Sequence, residues 1–144
     1  MEKVFELLER QHPQFNTITP DALVSDALYQ MCCENTDFLI VLQDSRFQGV
    51  ISDHDIAAKV LFATDPLNQI MVREFMNRTL PVATSDNTLT YCVQLMEKFH
   101  ARHVAIFDDF NFRGVLSMQD ISTKHENHNP ADAWDVREEY PWTC

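Results

Sequence analysis

Two short stretches hold residue types that could do chemistry together: Gly49-Val50-Ile51-Ser52-Asp53-His54-Asp55-Ile56 and Gly114-Val115-Leu116-Ser117-Met118-Gln119-Asp120-Ile121. In each, an apolar run of strand type ends at a serine, and helical spacing follows. Ser-x-x-Asp across such a junction sets a hydroxyl and a carboxylate beside the unpaired amides of a helix start. Asp55 or Asp120 could accept from the two hydroxyls of a ribose, while Ser52 or Ser117 and the helix amides meet phosphate oxygen. The glycine permits close backbone approach or an unusual turn. The same spacing is also a helix-capping pattern that needs no ligand, and spacing alone favours the cap.

Other candidates are weaker. Arg102 and His103, read as the end of a helix, could neutralise a phosphate or simply complement the helix dipole. Lys59, Lys98 and Arg73 read as solvated charges. Asp53-His54-Asp55 and His125-x-x-His128 hint at metal, but neither completes a ligand set, so no metal site is expected. Cys32, Cys33 and Cys92 fall on apolar helical faces as small core residues. Phe107, Phe110 and Phe112 straddle a hairpin, where core packing or an inter-subunit contact outweighs base stacking. No carboxylate is tied by spacing to a nucleophile, so no catalytic residue is assigned and an enzyme is the least supported class.

Composition narrows the classes further. The chain has 144 residues, 45% hydrophobic and 23% charged, which suits one compact domain or two small ones with a real core. With 22 acidic residues against 11 Lys plus Arg the net charge is −11, a field that repels nucleic acid and anionic lipid. Only two glycines occur, which rules out a P-loop or a dinucleotide fingerprint. The four cysteines have no zinc spacing, and no signal peptide or membrane span is read. The expectation is a cytoplasmic protein with reduced thiols and no membrane partner.

The two glycines lie 114 − 49 = 65 residues apart, and that offset holds without a gap across the chain. Thr19, Asp21, Met31, Asp44, Phe47, Ser52, Asp55 and Ile56 land on Thr84, Asp86, Met96, Asp109, Phe112, Ser117, Asp120 and Ile121. Each half reads as strand, helix, strand, strand, helix. Thr17-Ile18 is a short strand, and Thr19-Pro20-Asp21 starts a helix. The stripe Val24, Ala27, Leu28, Met31, Cys32 faces a core. Phe38 to Leu42 is a buried strand, Gln43 to Arg46 a polar turn, and Phe47 to Ser52 the next strand. Asp53 to Phe62 takes helical spacing through Ile56, Val60 and Leu61, and the order recurs from Val82 to about Lys124. The expected fold class is therefore α+β. Its organisation is a helix over 1–14, a first repeat over 15–62, a packed connector over 63–79, a second repeat over 80–124, and a tail over 125–144. The tail is acidic but carries Trp134, Tyr140 and Trp142, which favours docking on this chain or a partner.

The doubled Gly-apolar-apolar-Ser-x-x-Asp inside matching β-α-β-β-α patterns resembles a tandem pair of CBS (cystathionine β-synthase) domains, over residues 15 to about 124. Arg102-His103-Val104-Ala105-Ile106 resembles the basic-then-apolar strand start of stand-alone members. The resemblance implies a Bateman-type module with pseudo-twofold symmetry, homodimerisation, and a regulatory signal-transduction role through an unidentified protein. It implies an inter-repeat cleft that binds AMP, ADP, ATP or S-adenosylmethionine as a signal, with no cofactor required. The nucleotide-binding residues it implies are Thr17, Ile18, Ser52, Asp55, Val82, Ala83, Arg102, His103, Ser117 and Asp120. Family strands often carry Pro where this chain has Leu39 or Ile40, and Val104 or Ala105. Asp37-Phe38 stands where the second half has Arg102-His103, so one anion site should dominate. The alternative is a ligand-free scaffold that dimerises or binds a partner through its N-terminal helix and tail.

Overall fold

A computed structural model describes residues 2–10 and 16–125. The tail residues Trp134, Tyr140 and Trp142, with His128 and Cys144, lie outside the described residues. In chain order the elements are α1 (Val4–Arg10), β1 (Thr17–Ile18), α2 (Val24–Glu34), β2 (Phe38–Gln43), β3 (Arg46–Ser52) and α3 (Asp53–Val60). There follow α4 (Val72–Phe75), β4 (Val82–Ala83), α5 (Leu89–Phe99), β5 (His103–Asp108), β6 (Asn111–Ser117) and α6 (Met118–His125). The chain forms two compact units, one from the first repeat together with residues up to Thr79, the other from the second repeat together with α1.

The two sheets are copies. In the first, β2 is central, parallel to β1 and antiparallel to β3, with Thr17 opposite Ile40, Leu39 opposite Ile51 and Phe38 opposite Ser52. In the second, β5 takes that place, with Val82 opposite Ala105, Val104 opposite Leu116 and His103 opposite Ser117. Alternation sends Leu39, Val41 and Ile51 to a core completed by Val24, Ala27 and Met31 of α2 and Ile56 of α3. Val104, Ile106 and Leu116 meet Leu89, Cys92 and Met96 of α5 and Ile121 of α6. Burial pushes the Cys92 thiol up to about 11, in keeping with its place in that core.

The helices outside the β-α-β-β-α pattern follow a rule that the 65-residue offset does not reveal. Val72, Phe75 and Met76 of the connector enter the first unit's core, whereas Val4 and Leu7 of α1 enter the second unit's core. Val72 N–H donates to the Ala22 carbonyl and Arg73 N–H to that of Pro20; Val4 N–H donates to the Asn87 carbonyl and Phe5 N–H to that of Ser85. Lys3-Val4-Phe5-Glu6-Leu7-Leu8 is thus the counterpart of Met71-Val72-Arg73-Glu74-Phe75-Met76, at an offset of 72 − 4 = 68. Each segment even repeats one cap, with Glu6 accepting from Lys3 N–H and Glu74 from Met71 N–H.

Several expectations change. Helix α2 starts at Val24, since Thr19-Pro20-Asp21 forms a turn closed by Ala22 N–H onto the Thr19 carbonyl. Helix α3 stops at Val60, leaving Leu61 and Phe62 exposed rather than packed. Cys32 and Cys33 are exposed at the end of α2 rather than packed in the core. Lys59 is no idle charge: its Nζ donates to the Phe75 carbonyl at 2.9 Å. Arg73 pairs with Asp21. The hairpin turns shrink to two residues, Asp44-Ser45 and Asp109-Phe110, all with positive φ, the geometry whose twist matches a tight hairpin.

Two positions generate tests. A Cβ on Gly49 would stand 2.4 Å from the Asn77 carbonyl oxygen, because Val50 and Asn77 exchange backbone hydrogen bonds there. Gly49→Ala should destabilise the protein by about 1–3 kcal/mol through backbone displacement, read by chemical denaturation; an unchanged midpoint would remove the close approach from the account. Asp108 accepts from Ser85 Oγ at 2.6 Å and from Ser85 N–H at 3.0 Å, with Arg113 Nε 3.6 Å away. The Ser85 side-chain bond first, then its amide and Arg113, hold the Asp108 carboxyl below the ordinary carboxylate range. A lowered folded value contributes stability above the unfolded pKa of about 4 and loses it as pH falls through the folded value. Thermal midpoints taken from pH 7 downward should therefore fall less steeply below that range in Asp108→Asn than in wild type; parallel curves would count against the clamp.

Candidate functional site

The candidate site forms where β3 turns into α3, and again where β6 turns into α6. Strand and helix are consecutive, so the residue between them must satisfy a buried hydroxyl and the first free helix amides at once. Ser52 does so: its Oγ accepts from Asp55 N–H at 3.1 Å and donates to Asp55 Oδ2 at 2.8 Å, and Ser52 N–H donates to the same oxygen at 3.2 Å. Ser117 repeats the arrangement, its Oγ accepting from Asp120 N–H at 3.0 Å while Ser117 N–H donates to Asp120 Oδ2 at 2.9 Å. Both serines are buried and both aspartates half-buried. These are reciprocal capping boxes, so the cap read from spacing is present in both repeats. A cap leaves other amides of the first turn unpaired by the helix, and the dipole there favours an anion.

Neighbouring strands decide what surrounds each junction. Opposite Ser52 stands Phe38, preceded by the exposed Asp37, whose carbonyl accepts from Asp53 N–H at 3.0 Å. Opposite Ser117 stands His103, preceded by the exposed Arg102, whose carbonyl accepts from Met118 N–H at 3.0 Å. Arg102 and His103 therefore belong to the start of β5, beyond the end of α5 at Phe99, rather than to the helix terminus expected from sequence. The chain reverses between them at His100, which takes the left-handed conformation that ends a helix. That correction brings the basic pair to the same junction as Asp120. His103 is buried at 7% exposure, so Arg102 presents the freely accessible cation. The first junction carries a carboxylate at the corresponding position.

Thr17-Ile18 and Val82-Ala83 run beside the starts of β2 and β5. Thr17 pairs with Ile40, two positions along from Phe38, and Val82 with Ala105, two along from His103. Thr17 is half-buried and its carbonyl accepts from Gln30 Nε2 at 2.9 Å; Val82 is exposed and Ala83 buried. Within each unit the expected residues thus share one end of one sheet. Asp53-His54-Asp55 does not assemble a ligand set: among the described residues no three His, Cys, Asp or Glu lie together as a metal cage. The His125 to His128 pair extends outside the described residues. Among the described residues no helix is long and apolar enough to cross a membrane. The Ser85–Asp108 clamp escaped sequence reading because the first repeat has Pro20 and Gln43 at those places.

Comparisons with known proteins agree with this architecture. The CBS domain family model matches residues 72–125, which cover α4 through α6. The CBS domain-containing protein YhcV of Bacillus subtilis (strain 168) is 25% identical over 118 residues, covering 82% of this chain and 84% of that protein. A crystal structure of the CBS domain NE2398 superposes with a TM-score of 0.79 at 27% identity, over 86% of this chain and 98% of that one. A proposed signal-transduction protein with CBS domains from Burkholderia ambifaria MC40-6 shares the fold, with a TM-score of 0.78 at 22% identity over 85% and 92% of the two chains. Residues 72–125 thus match the CBS domain family, and the chain as a whole, with its doubled strand–helix junction, is similar to CBS domain proteins.

Proposed function

We propose that the chain is a cytoplasmic regulatory module that senses an adenosine-containing nucleotide, AMP, ADP, ATP or S-adenosylmethionine, and signals by a change in partner affinity rather than by catalysis. A second copy of the chain is part of this reading, as is a regulated protein of unidentified nature. The nucleotide would take its ribose at the Asp120 carboxylate and its phosphate or other polar end at the first turn of α6, with Val82 and Ala83 beside that junction; Thr17 and Ile18 stand in the same way beside the first junction. One observation carries the reading: the β5–β6 register brings Arg102 to the helix start that Ser117 and Asp120 already cap. A helix N-terminus and a guanidinium both favour an anion, and Arg can meet two phosphate oxygens at once. At the first junction Asp37 opposes the same ligand, so the second should dominate. Binding energy that differs between two states shifts their populations, which is how such a ligand acts as a signal.

The reciprocal caps favour a second reading, a ligand-free scaffold, because each Ser-x-x-Asp is already satisfied internally. A thermal-unfolding screen separates the two. Ligand at about a hundred times its dissociation constant adds roughly 2.7 kcal/mol, a shift of several degrees for a protein of this size. The expected result is a saturable shift with one adenosine ligand and none with guanine nucleotides; no shift with any would favour the scaffold. Because Asp120→Ala also removes a cap, the sharper comparison in calorimetric titration is Arg102→Ala against Asp37→Ala. Loss of one charge-assisted contact predicts about a tenfold weaker affinity for Arg102→Ala and an equal or tighter one for Asp37→Ala; equal losses would sink the asymmetry.

A further inference from the structure

The two hairpin tips share one backbone and differ in what they display. Asp44-Ser45 and Asp109-Phe110 all take φ between 48° and 66°, in two-residue turns closed by Gln43 opposite Arg46 and Asp108 opposite Asn111. Gly, Asn and Asp enter that conformation most readily, whereas a bulky side chain there is strained. Ser45 serves in the first repeat, so the turn needs no aromatic residue at that place. Phe110 is fully exposed, so packing within the chain does not offset its strain. The tip nevertheless stands on a rigid base. One residue pair further along the hairpin, Phe107 and Phe112 meet edge to face with ring centres 5.5 Å apart. Ser85 holds Asp108 through its hydroxyl and amide, and the Ser85 carbonyl accepts from the N–H of Phe5, another exposed aromatic residue. In the first repeat the places of Phe5, Phe107 and Phe110 are taken by Arg73, Leu42 and Ser45.

We infer that the second hairpin tip is where the regulated protein docks, with Phe110 seated in an apolar pocket of that protein whose edge carries Lys or Arg. An isolated exposed apolar side chain needs no explanation by itself. One held in a strained turn on a rigid base does, because such strain persists where function requires it. Aromatic side chains are enriched at the buried centres of protein interfaces, and a ring on a projecting tip fits a pocket rather than a flat face. Charge around the ring sets the chemistry of the partner. Asp109 is exposed beside Phe110, and exposed Asp86 follows the Ser85 clamp, while Arg113 lies 3.6 Å from Asp108. The first tip instead carries Arg46 where the second has Asn111. An anionic lipid surface is repelled by the net charge of −11, and a second copy of the chain would bring the same charge to the contact. A different protein with a basic-rimmed pocket accommodates both the ring and the carboxylates. This assignment rests on the regulated protein in the proposed function and is independent of the nucleotide.

Light-induced crosslinking in the cells that make the chain locates the partner, with p-benzoylphenylalanine in place of Phe110 and, as the control, in place of Ser45. Adducts are identified by mass, and the captured protein is then purified and titrated against the full chain. That protein should crosslink from position 110 and not from position 45. It should bind Phe110→Asn at least about tenfold more weakly than wild type. Its affinity should also fall in Asp109→Lys and with added salt, as for a charged rim. Phe110→Asn should unfold at the wild-type temperature or above, because asparagine enters the left-handed turn more readily, so that lost binding is not lost folding. No adduct from position 110, adducts only with lipid or between copies of this chain, or a captured protein that binds Phe110→Asn as tightly as wild type would overturn the docking surface. A lower unfolding temperature for Phe110→Asn would assign Phe110 to the fold instead, and an affinity indifferent to Asp109→Lys and to salt would overturn the basic rim. Nucleotide titration of Phe110→Asn keeps the two proposals apart, because ligand affinity should not follow the loss of the partner.

Discussion

A buried serine hydroxyl that must be satisfied where a strand becomes a helix governs each unit. Ser52 and Ser117 lie at 4% and 5% exposure, where an unpaired hydroxyl would be costly. Each meets its demand by accepting the amide three residues ahead, which forces the chain out of extended conformation at that residue. The helix axis is thereby tied to the end of β3 or β6, and the helix start to the first residues of β2 or β5, which pair with those strand ends. Packing of Ile56 and Ile121 into the cores follows from that fixed departure point.

The two repeats share a backbone plan but not a field. At the residue before the central strand one repeat has Asp37 and the other Arg102, while hydrogen bonds to the following helix are alike. Duplication can preserve the main chain because its donors and acceptors are the same whatever the side chains. The exposed side chains are then free to diverge, and a single difference of charge sign beside a helix dipole makes equivalent sites respond unequally to an anion. Divergence extends to α2 and α5, whose outer stripes differ in polarity although both helices fill the same place in their units.

Much of this was legible in the sequence. The ungapped 65-residue offset identified strands, helices and junctions, since apolar period and the Ser-x-x-Asp spacing report local geometry directly. Two things were not legible. The pairing of α1 with the second repeat required noticing Val4-Phe5-Glu6-Leu7 against Val72-Arg73-Glu74-Phe75 at an offset of 68, a short match of common residues that spacing alone does not distinguish from chance. The place of Arg102 depended on where α5 ended, and no glycine marked that end because His100 takes the left-handed position. The same scarcity of glycine puts Phe110, fully exposed, into a left-handed turn that few bulky residues adopt, which no propensity argument anticipates.

The exchange of flanking helices sets an order on how the chain can close as it is made. Residues 16–79 contain every strand and helix of the first unit's core, so that unit can close once Phe75 and Met76 are available. Val4 and Leu7 are synthesised early, yet their partners run from Ala83 to Ile121. Contacts at such separation close late, after the intervening segment has gained its own structure. The beginning of the chain thus waits longest for its neighbours, and its apolar residues are those that a nascent-chain chaperone has the most time to meet.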